Sequence, residues 1–265
     1  MLIDTHIHTM FSGDSSEPPE KQVEQAIRLG MPEICFTDHH DYGVICDTDY
    51  TLDFASYFPY MQELRDRYAD RIAIRIGVEL GLQCRIWDYL EQLPGQFPFD
   101  YIIGSSHFVD GVDPYLPEFW EGKEEKAAVR RYFEVTLARL QSLSCFDACG
   151  HLDYIIRYGK NQNRNYHWED HRELIEEILL LLIRRDIALE CNTGGFRYGL
   201  GQPNPCIPVL KRYRELGGEL LTIGSDAHDC SKLGIGFAQM EEALKELGFR
   251  SYLTFAARKP VGHLL

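Results

Sequence analysis

Ile3-Asp4-Thr5-His6-Ile7-His8 is the stretch that decides how this chain is read. An apolar lead-in ending in His-x-His reads as a short buried strand with two imidazoles at its end. Side chains alternate along a strand, so His6 and His8 share one face. Two imidazoles on one face make half of a metal site. Far along the chain, Ile223-Gly224-Ser225-Asp226-Ala227-His228 repeats the design, with Asp226 and His228 two residues apart after an apolar run. Two such strand ends, separated by most of the chain, point to a barrel that closes first strand against last.

The residues between them alternate in the same sense. Short apolar runs predict strands over 2–5, 33–37, 72–80, 101–105, 148–152, 187–191 and 220–225. Amphipathic stretches predict helices over 19–29, 54–68, 86–93, 123–143, 168–184, 207–216 and 237–247. Strands alternating with helices imply βαβ units and a parallel sheet. The punctuation agrees: Pro18-Pro19 opens a helix, while Leu29-Gly30 and Leu216-Gly217 close two. Seven strands are one short of a complete (β/α)8 barrel, and an open doubly wound sheet is the competing topology. The stretches 38–53 and 192–208 read as loops, the first unusually acidic.

Composition narrows the function. The 265 residues show no composition shift, linker or repeat, so a single domain over 1–265 is expected. Net charge is −14, from 27 basic and 41 acidic residues, which argues against a nucleic-acid partner. An anionic substrate is still admissible, because bound cations reverse the field locally. None of the eight cysteines forms a C-x-x-C pair, and Cys35, Cys84 and Cys191 lie in or beside apolar runs as buried small hydrophobes. No leader is visible, and no apolar run reaches the ~18–20 residues that span a bilayer. A reduced, cytoplasmic protein without a membrane partner is expected.

Groups able to bind metal recur where strands end: His6 and His8, Asp38-His39-His40, Glu79, His107, His151, Asn192, and Asp226 with His228. In parallel α/β folds the carboxyl ends of strands are where active sites form. Taken alone, His107 or His151 reads as a hydrogen-bonded structural histidine; taken together, the set reads as a metal cluster. A buried Glu79 in Ile-Gly-Val-Glu-Leu needs a partner, and a cation or Arg75 is available on the same face. His167 and His171 flank Glu169 in a spacing that is not H-E-x-x-H, and they read as a solvated helix start. His263 is uninformative. Gly234-Ile235-Gly236 is no dinucleotide fingerprint, and neither a P-loop nor G-x-S-x-G is present.

In order along the chain, D-T-H-I-H at 4–8, T-D-H at 37–39, G-V-E at 77–79, G-S-S-H at 104–107, G-H-L-D at 150–153 and G-S-D-A-H at 224–228 resemble the polymerase-and-histidinol-phosphatase (PHP) superfamily. Within it, G-H-L-D-Y-I-I-R at 150–157 and L-E-C-N-T-G-G-F-R at 189–197 look like the monofunctional histidinol-phosphate phosphatase branch. The resemblance implies a distorted seven-stranded β/α (TIM-like) barrel with three divalent metal ions at its C-terminal mouth. It implies His6, His8, Glu79 and Asp226 for the first ion. Glu79 then bridges to a second held by His107 and His151, and Asp14, His39 and His228 hold the third. Many relatives carry histidine where this chain has Asp14. His40 competes with His39, which completes T-D-H. Imidazole and carboxylate ligands without thiolate suit zinc, iron or manganese equally.

The implied activity is hydrolysis of a small phosphate ester, L-histidinol phosphate in histidine biosynthesis, with Glu79, Asp14 and His39 as catalytic residues. Arg157 and Arg197 are the expected phosphate clamps, since a guanidinium meets two oxygens at once; surface solvation is the competing reading for both. Asp41, Asp47, Asp49 and Asp53 are available to attract the cationic end of such a substrate, or else belong to a solvated loop. The alternatives are another phosphate ester (a nucleoside bisphosphate or phosphotyrosine), a metal-dependent amidohydrolase, which normally carries a bridging lysine, and a non-catalytic metal-holding module.

Overall fold

The computed structural model describes residues 3–265, apart from the side chains of Gln162 and Asn163. The chain winds through β1 (Asp4–Ile7), α1 (Pro19–Leu29), β2 (Glu33–Phe36), β3 (His39–His40), α2 (Phe54–Arg67), β4 (Ala73–Gly81) and α3 (Trp87–Gln92). Next come β5 (Tyr101–Ser105), α4 (Pro117–Trp120), α5 (Glu125–Ser142), β6 (Ala148–Cys149), α6 (Arg172–Arg184) and β7 (Ala188–Asn192). It ends with α7 (Gly194–Arg197), α8 (Ile207–Glu215), β8 (Leu221–Gly224), α9 (Phe237–Glu246), β9 (Ser251–Ala256) and β10 (Lys259–Leu264).

The helices begin and end for local reasons. Pro19 occupies the first turn of α1, and Gly30 closes it at φ +73°. Asp53 caps α2 by accepting from the Ala55 N–H, and Glu124 caps α5 by accepting from Lys126 and Ala127. Helix α6 buries Ile175, Ile178, Leu179 and Leu182, one stripe at helical spacing.

The parallel strands run in the order β1-β2-β4-β5-β6-β7-β8, with β3 added beside β4. β1, β2, β5, β7 and β8 are buried throughout, as parallel strands covered on both faces are. Ile7 and Ala227 form a parallel bridge between the ends of the row. There the His8 N–H donates to the Ala227 carbonyl (2.9 Å) and the Asp226 N–H to the His6 carbonyl (2.8 Å). The sheet is a barrel closed at its C-terminal mouth, and the open doubly wound sheet is excluded. Gly224 permits the closure, since a Cβ there would overlap the His6 Cβ.

The opposite end is plugged by the antiparallel β9–β10 hairpin. Phe255 stacks on Tyr101 (5.0 Å between ring centroids) within a separate apolar cluster with Cys35, Ile103, Ala148 and Ala188. Nothing in the sequence announces this hairpin. Its two-residue turn, Ala257-Arg258, takes φ +48° and +62°, a geometry usually given to Asn-Gly. Tertiary bonds hold it: Asp100 Oδ1 accepts from the Ala257 N–H (3.0 Å), and Arg258 donates to Asp147 (2.8 Å).

Several expectations need correction. β1 covers Asp4–Ile7 rather than 2–5, and Leu2 lies outside the described residues. β6 stops at Cys149 because the His151 N–H donates to the Glu190 carboxylate (2.7 Å) instead of continuing the ladder. Cys84 is exposed, at the start of a 3-10 turn beyond β4. His171 is buried against Phe133, not solvated. Short helix α7 interrupts the stretch read as a loop.

The left-handed backbone at Ala257 yields a test. Ala257→Gly should raise stability by about 0.5–1 kcal/mol, the relieved strain being partly offset by glycine's freedom in the unfolded chain. Urea unfolding at constant m checks it.

Candidate metal centre

Register assembles the site at the barrel mouth. β3 pairs with β4 so that His39 lies opposite Glu79, and Glu79 faces Ile103 on the other side. Glu79 is fully buried. Its Oε1 accepts from the Ser105 hydroxyl (2.6 Å) and lies 2.8 Å from His151 Nε2 and 3.1 Å from His107 Nε2. Its Oε2 lies 2.9 Å from His39 Nδ1, 3.2 Å from His6 Nε2 and 3.5 Å from His8 Nε2. Asp226, kinked into the left-handed region at φ +56°, brings Oδ1 to 3.3 Å from His8 Nε2. Nearer the opening, Asp14 Oδ2 lies 3.1 Å from His228 Nε2 and 3.7 Å from His39 Nε2. The His8 ring stacks between His39 and His228, at 4.2 and 4.1 Å.

Among the described residues, four overlapping trios have ligand atoms within 4.8 Å of one another: His6-His8-Asp226, His6-Glu79-His151, His39-Glu79-His107 and His8-His39-His228. His40 turns away from them. Its Nε2 meets the Tyr89 hydroxyl (2.7 Å), and its Nδ1 accepts from the Leu52 N–H (3.1 Å). Arg75 pairs with Glu33 (2.7 Å), so it is no partner for Glu79.

The outer groups decide which ring nitrogens face inward. His6 Nδ1 donates to Glu190 Oε1 (2.6 Å), and His107 Nδ1 donates to Asp41 Oδ2 (3.0 Å). His8 Nδ1 donates to Ser12 Oγ (3.0 Å), whose own proton goes to Asp38 Oδ1 (2.7 Å). With these Nδ1 atoms protonated, the Nε2 lone pairs point at Glu79, the tautomer a metal ligand needs. His6 Nε2 and His8 Nε2 then face each other at 3.0 Å, and Glu79 Oε2 is buried with no hydrogen bond. Opposed lone pairs and an unsatisfied carboxylate oxygen are what a cation would relieve, so the residues fit divalent metal. Burial alone would raise the pKa of Glu79, but His6, His107 and His39 pull it well below the usual range. Burial opposes charge on His6 too, and the carboxylates of Glu190, Glu79 and Asp226 outweigh it, so that without a cation a second ring proton would stand in for one at Nε2.

Glu190 escaped sequence reading, although a glutamate inside the apolar run of β7 is the same cue that singled out Glu79. Asp38, read among the metal-capable groups at strand ends, instead stands behind His8 through Ser12, and neither Ser12 nor Ser105 carried such a cue. In the acidic loop, Asp41 is buried on His107, Asp49 accepts from the Thr51 N–H (2.8 Å) and Asp53 caps α2. Only Asp47 is left as a plain exposed charge among them.

Arg157 is 4% exposed, which excludes surface solvation. Nε donates to Asn204 Oδ1 (2.9 Å), Nη1 to Asp226 Oδ2 (2.7 Å) and Nη2 to Asn192 Oδ1 (2.9 Å). Arg197 stands behind His228 (3.4 Å from Nη1 to Nδ1), its Nε buried without a partner. The pocket over the cluster is lined by Asp14, His39, His107, His151, Asp226, His228 and Arg157, and walled by Tyr50, Tyr154, Tyr158, Tyr198 and Asp113. No lysine lines it among the described residues, unlike an amidohydrolase centre.

Comparison with known proteins gives the family. The PHP domain family model matches residues 4–194, and the chain belongs to that family. It is 33% identical to the histidinol-phosphatase of Lactococcus lactis, covering 97% of this chain and 95% of that one. It is 31% identical to a probable histidinol-phosphatase of Clostridium acetobutylicum, covering 89% and 90%. The crystal structure of histidinol phosphate phosphatase from Lactococcus lactis, complexed with zinc, L-histidinol and phosphate, superposes with a TM-score of 0.92 at 32% identity, over 98% of each chain.

Replacing Arg157 by Met should lower stability by about 3–5 kcal/mol, because it strands the buried Asp226 carboxylate and two side-chain amides. Chemical denaturation of the metal-free protein reads this without reference to activity.

Proposed function

We propose that the protein is a metal-dependent phosphomonoesterase that hydrolyses L-histidinol phosphate to L-histidinol and phosphate in histidine biosynthesis. One observation carries the reading. In a PHP chain one-third identical to a histidinol-phosphatase, inward-facing imidazole nitrogens and carboxylates surround a Glu79 that lacks enough protons to satisfy it. We assign His6, His8, Glu79 and Asp226 to one ion, Glu79, His107 and His151 to a second, and Asp14, His39 and His228 to a third. The donor set suits zinc, iron(II) or manganese(II), and zinc is the ion in the Lactococcus lactis complex.

Divalent ions in such a site polarise phosphoryl oxygens and make water acidic enough to attack near neutral pH. The rest falls to the side chains. In hydrolysis a water oxygen bonds to phosphorus, the bond from phosphorus to the alcohol oxygen breaks, and a proton passes from the water to the departing alkoxide. Asp14 and His39 line the pocket and are the candidates for handling that proton. Arg157 donates once from each nitrogen to the protein and has two N–H groups left for a phosphoryl oxygen; Arg197 has its unpartnered Nε. Positioning and electrostatics of this kind account for most of the catalysis of phosphoryl transfer.

The pocket wall favours a cationic, ring-bearing alcohol. Asp113 accepts one hydrogen bond, from the Tyr115 N–H (2.8 Å), and burial raises its pKa. It takes the place of the solvated aspartates as the group that meets an ammonium, and the tyrosines offer faces to an imidazole. We place the enzyme in one domain over 1–265. Its unpaired cysteines fit a reducing compartment such as the cytoplasm, and among the described residues no helix is long and apolar enough to cross a membrane.

Steady-state kinetics with L-histidinol phosphate and p-nitrophenyl phosphate test the substrate. A preference of about 100-fold or more in kcat/KM is expected for the former; similar values would end the substrate assignment and leave the hydrolase. Glu79→Ala should abolish turnover and lower bound metal by elemental analysis, and wild-type activity would remove its bridging role. Glu190→Gln, which keeps the shape but removes the negative charge facing His6 and sets an NH2 donor where the second carboxylate oxygen stood, should weaken metal affinity by about 10–100-fold in chelator competition with the fold unchanged by circular dichroism.

A further inference from the structure

A second cavity, of about 580 Å³, lies beside the metal centre, and Phe108 lines both. Helix α5 contributes Val135, Ala138 and Arg139 to its wall, and Val44 and Ile45 of the 38–53 loop also line it. Arg139 is the unusual member. It is 7% exposed, its Nη2 donates to the Phe108 carbonyl (2.6 Å), and its Nη1 is buried with no hydrogen-bond partner. No described carboxylate pairs with it. The other guanidiniums at the cavity are committed: Arg131 to Asp110 and Glu134, and Arg85 to the Gly43 carbonyl and Gln83.

A guanidinium is charged at any working pH, and burying one without a counter-ion is costly. Burial lowers the pKa of Arg139 below the usual arginine value, and the charges of Asp41 and Asp110, neither of them in a salt bridge with it, restore it only in part. A leucine or methionine would fill this stretch of α5 without that penalty, so the charge has a use beyond packing. Arg85 lacks a carboxylate too but is exposed, so its charge is solvated; among the described residues lining the cavity Arg139 is the one buried cation, and one buried cation matches a single negative charge. The carboxylates of Asp110 and Glu134 at the rim oppose a dianion, and the remaining wall is largely apolar.

We propose that this cavity is a binding site for a small aliphatic monocarboxylate, whose oxygens meet Arg139 and whose hydrocarbon body lies on Val135, Ala138 and Phe108. The site is separate from the metal centre and does not rest on the assignment of that centre.

Butyrate is the probe, and its neutral isostere butyramide the control, each titrated into the full-length protein by isothermal calorimetry. Saturable butyrate binding is expected, with butyramide weaker by about tenfold or more. Arg139→Met should abolish the difference between the two. Because that variant removes a buried hydrogen bond, Ala138→Trp serves as a second. It fills the cavity from the exposed side of α5, leaves every hydrogen bond in place, should keep phosphatase activity at the wild-type level and should also lose butyrate. The proposal is overturned if butyrate does not bind, if butyramide binds as well, or if Ala138→Trp retains the affinity, which would put the carboxylate on the metal ligands instead.

Discussion

The surplus of lone pairs over protons around Glu79 is the constraint on which the rest of the structure depends. Burial removes the water that would otherwise satisfy these groups. The outer carboxylates of Glu190 and Asp41, and the Ser12–Asp38 relay, commit the Nδ1 protons outward, so that the Nε2 lone pairs are left facing in. Cations among the acceptors relieve an interior of this kind, and without them protons drawn onto His6, His39 and His107 do so. Such an interior also requires a scaffold stiff enough to hold mutually repelling groups within a few ångströms of one another.

The barrel supplies that stiffness. Closure of β1 against β8 is made by main-chain hydrogen bonds from the very residues that carry His6, His8 and Asp226, so sealing the sheet and building the site are one event. Gly224 allows the close approach, and at the far end the hairpin stacks Phe255 on Tyr101 of β5. Arg157 then ties Asp226 to β7 through Asn192 and to the 192–208 segment through Asn204. Arg157 has an acceptor at each of its three nitrogens, whereas Arg139 has a nitrogen with none, and the two differ in what they imply. The first is anchored by the protein and keeps two N–H groups in reserve, and the second asks for a ligand.

Much of the site could be read from local pattern. His-x-His after an apolar run, Asp-x-His after another and a glutamate inside Ile-Gly-Val-Glu are signals carried by a few neighbouring residues, because alternation along a strand is a local property. Asp14 came only through the family pattern, since a loop aspartate has no periodicity to mark it. The acidic loop was legible as acidic but not in its roles. Asp49 and Asp53 serve as local backbone acceptors, and Asp41 turns inward to His107 once β3 docks on β4.

Apolar alternation, helix punctuation and the placement of ligand residues at strand ends were enough to determine βαβ units with metal-capable strand ends, because each depends on interactions a few residues apart; the choice of a barrel over an open sheet came with the family resemblance and the closure of β1 on β8. Tertiary structure alone decided the Glu190–His6 pairing across 184 positions, the engagement of Arg157, the isolation of Arg139 and the Ala257-Arg258 turn held by Asp100 and Asp147. These depend on which groups meet after the sheet has closed, and no short window of sequence encodes the protons, counter-charges and steric room that each then finds.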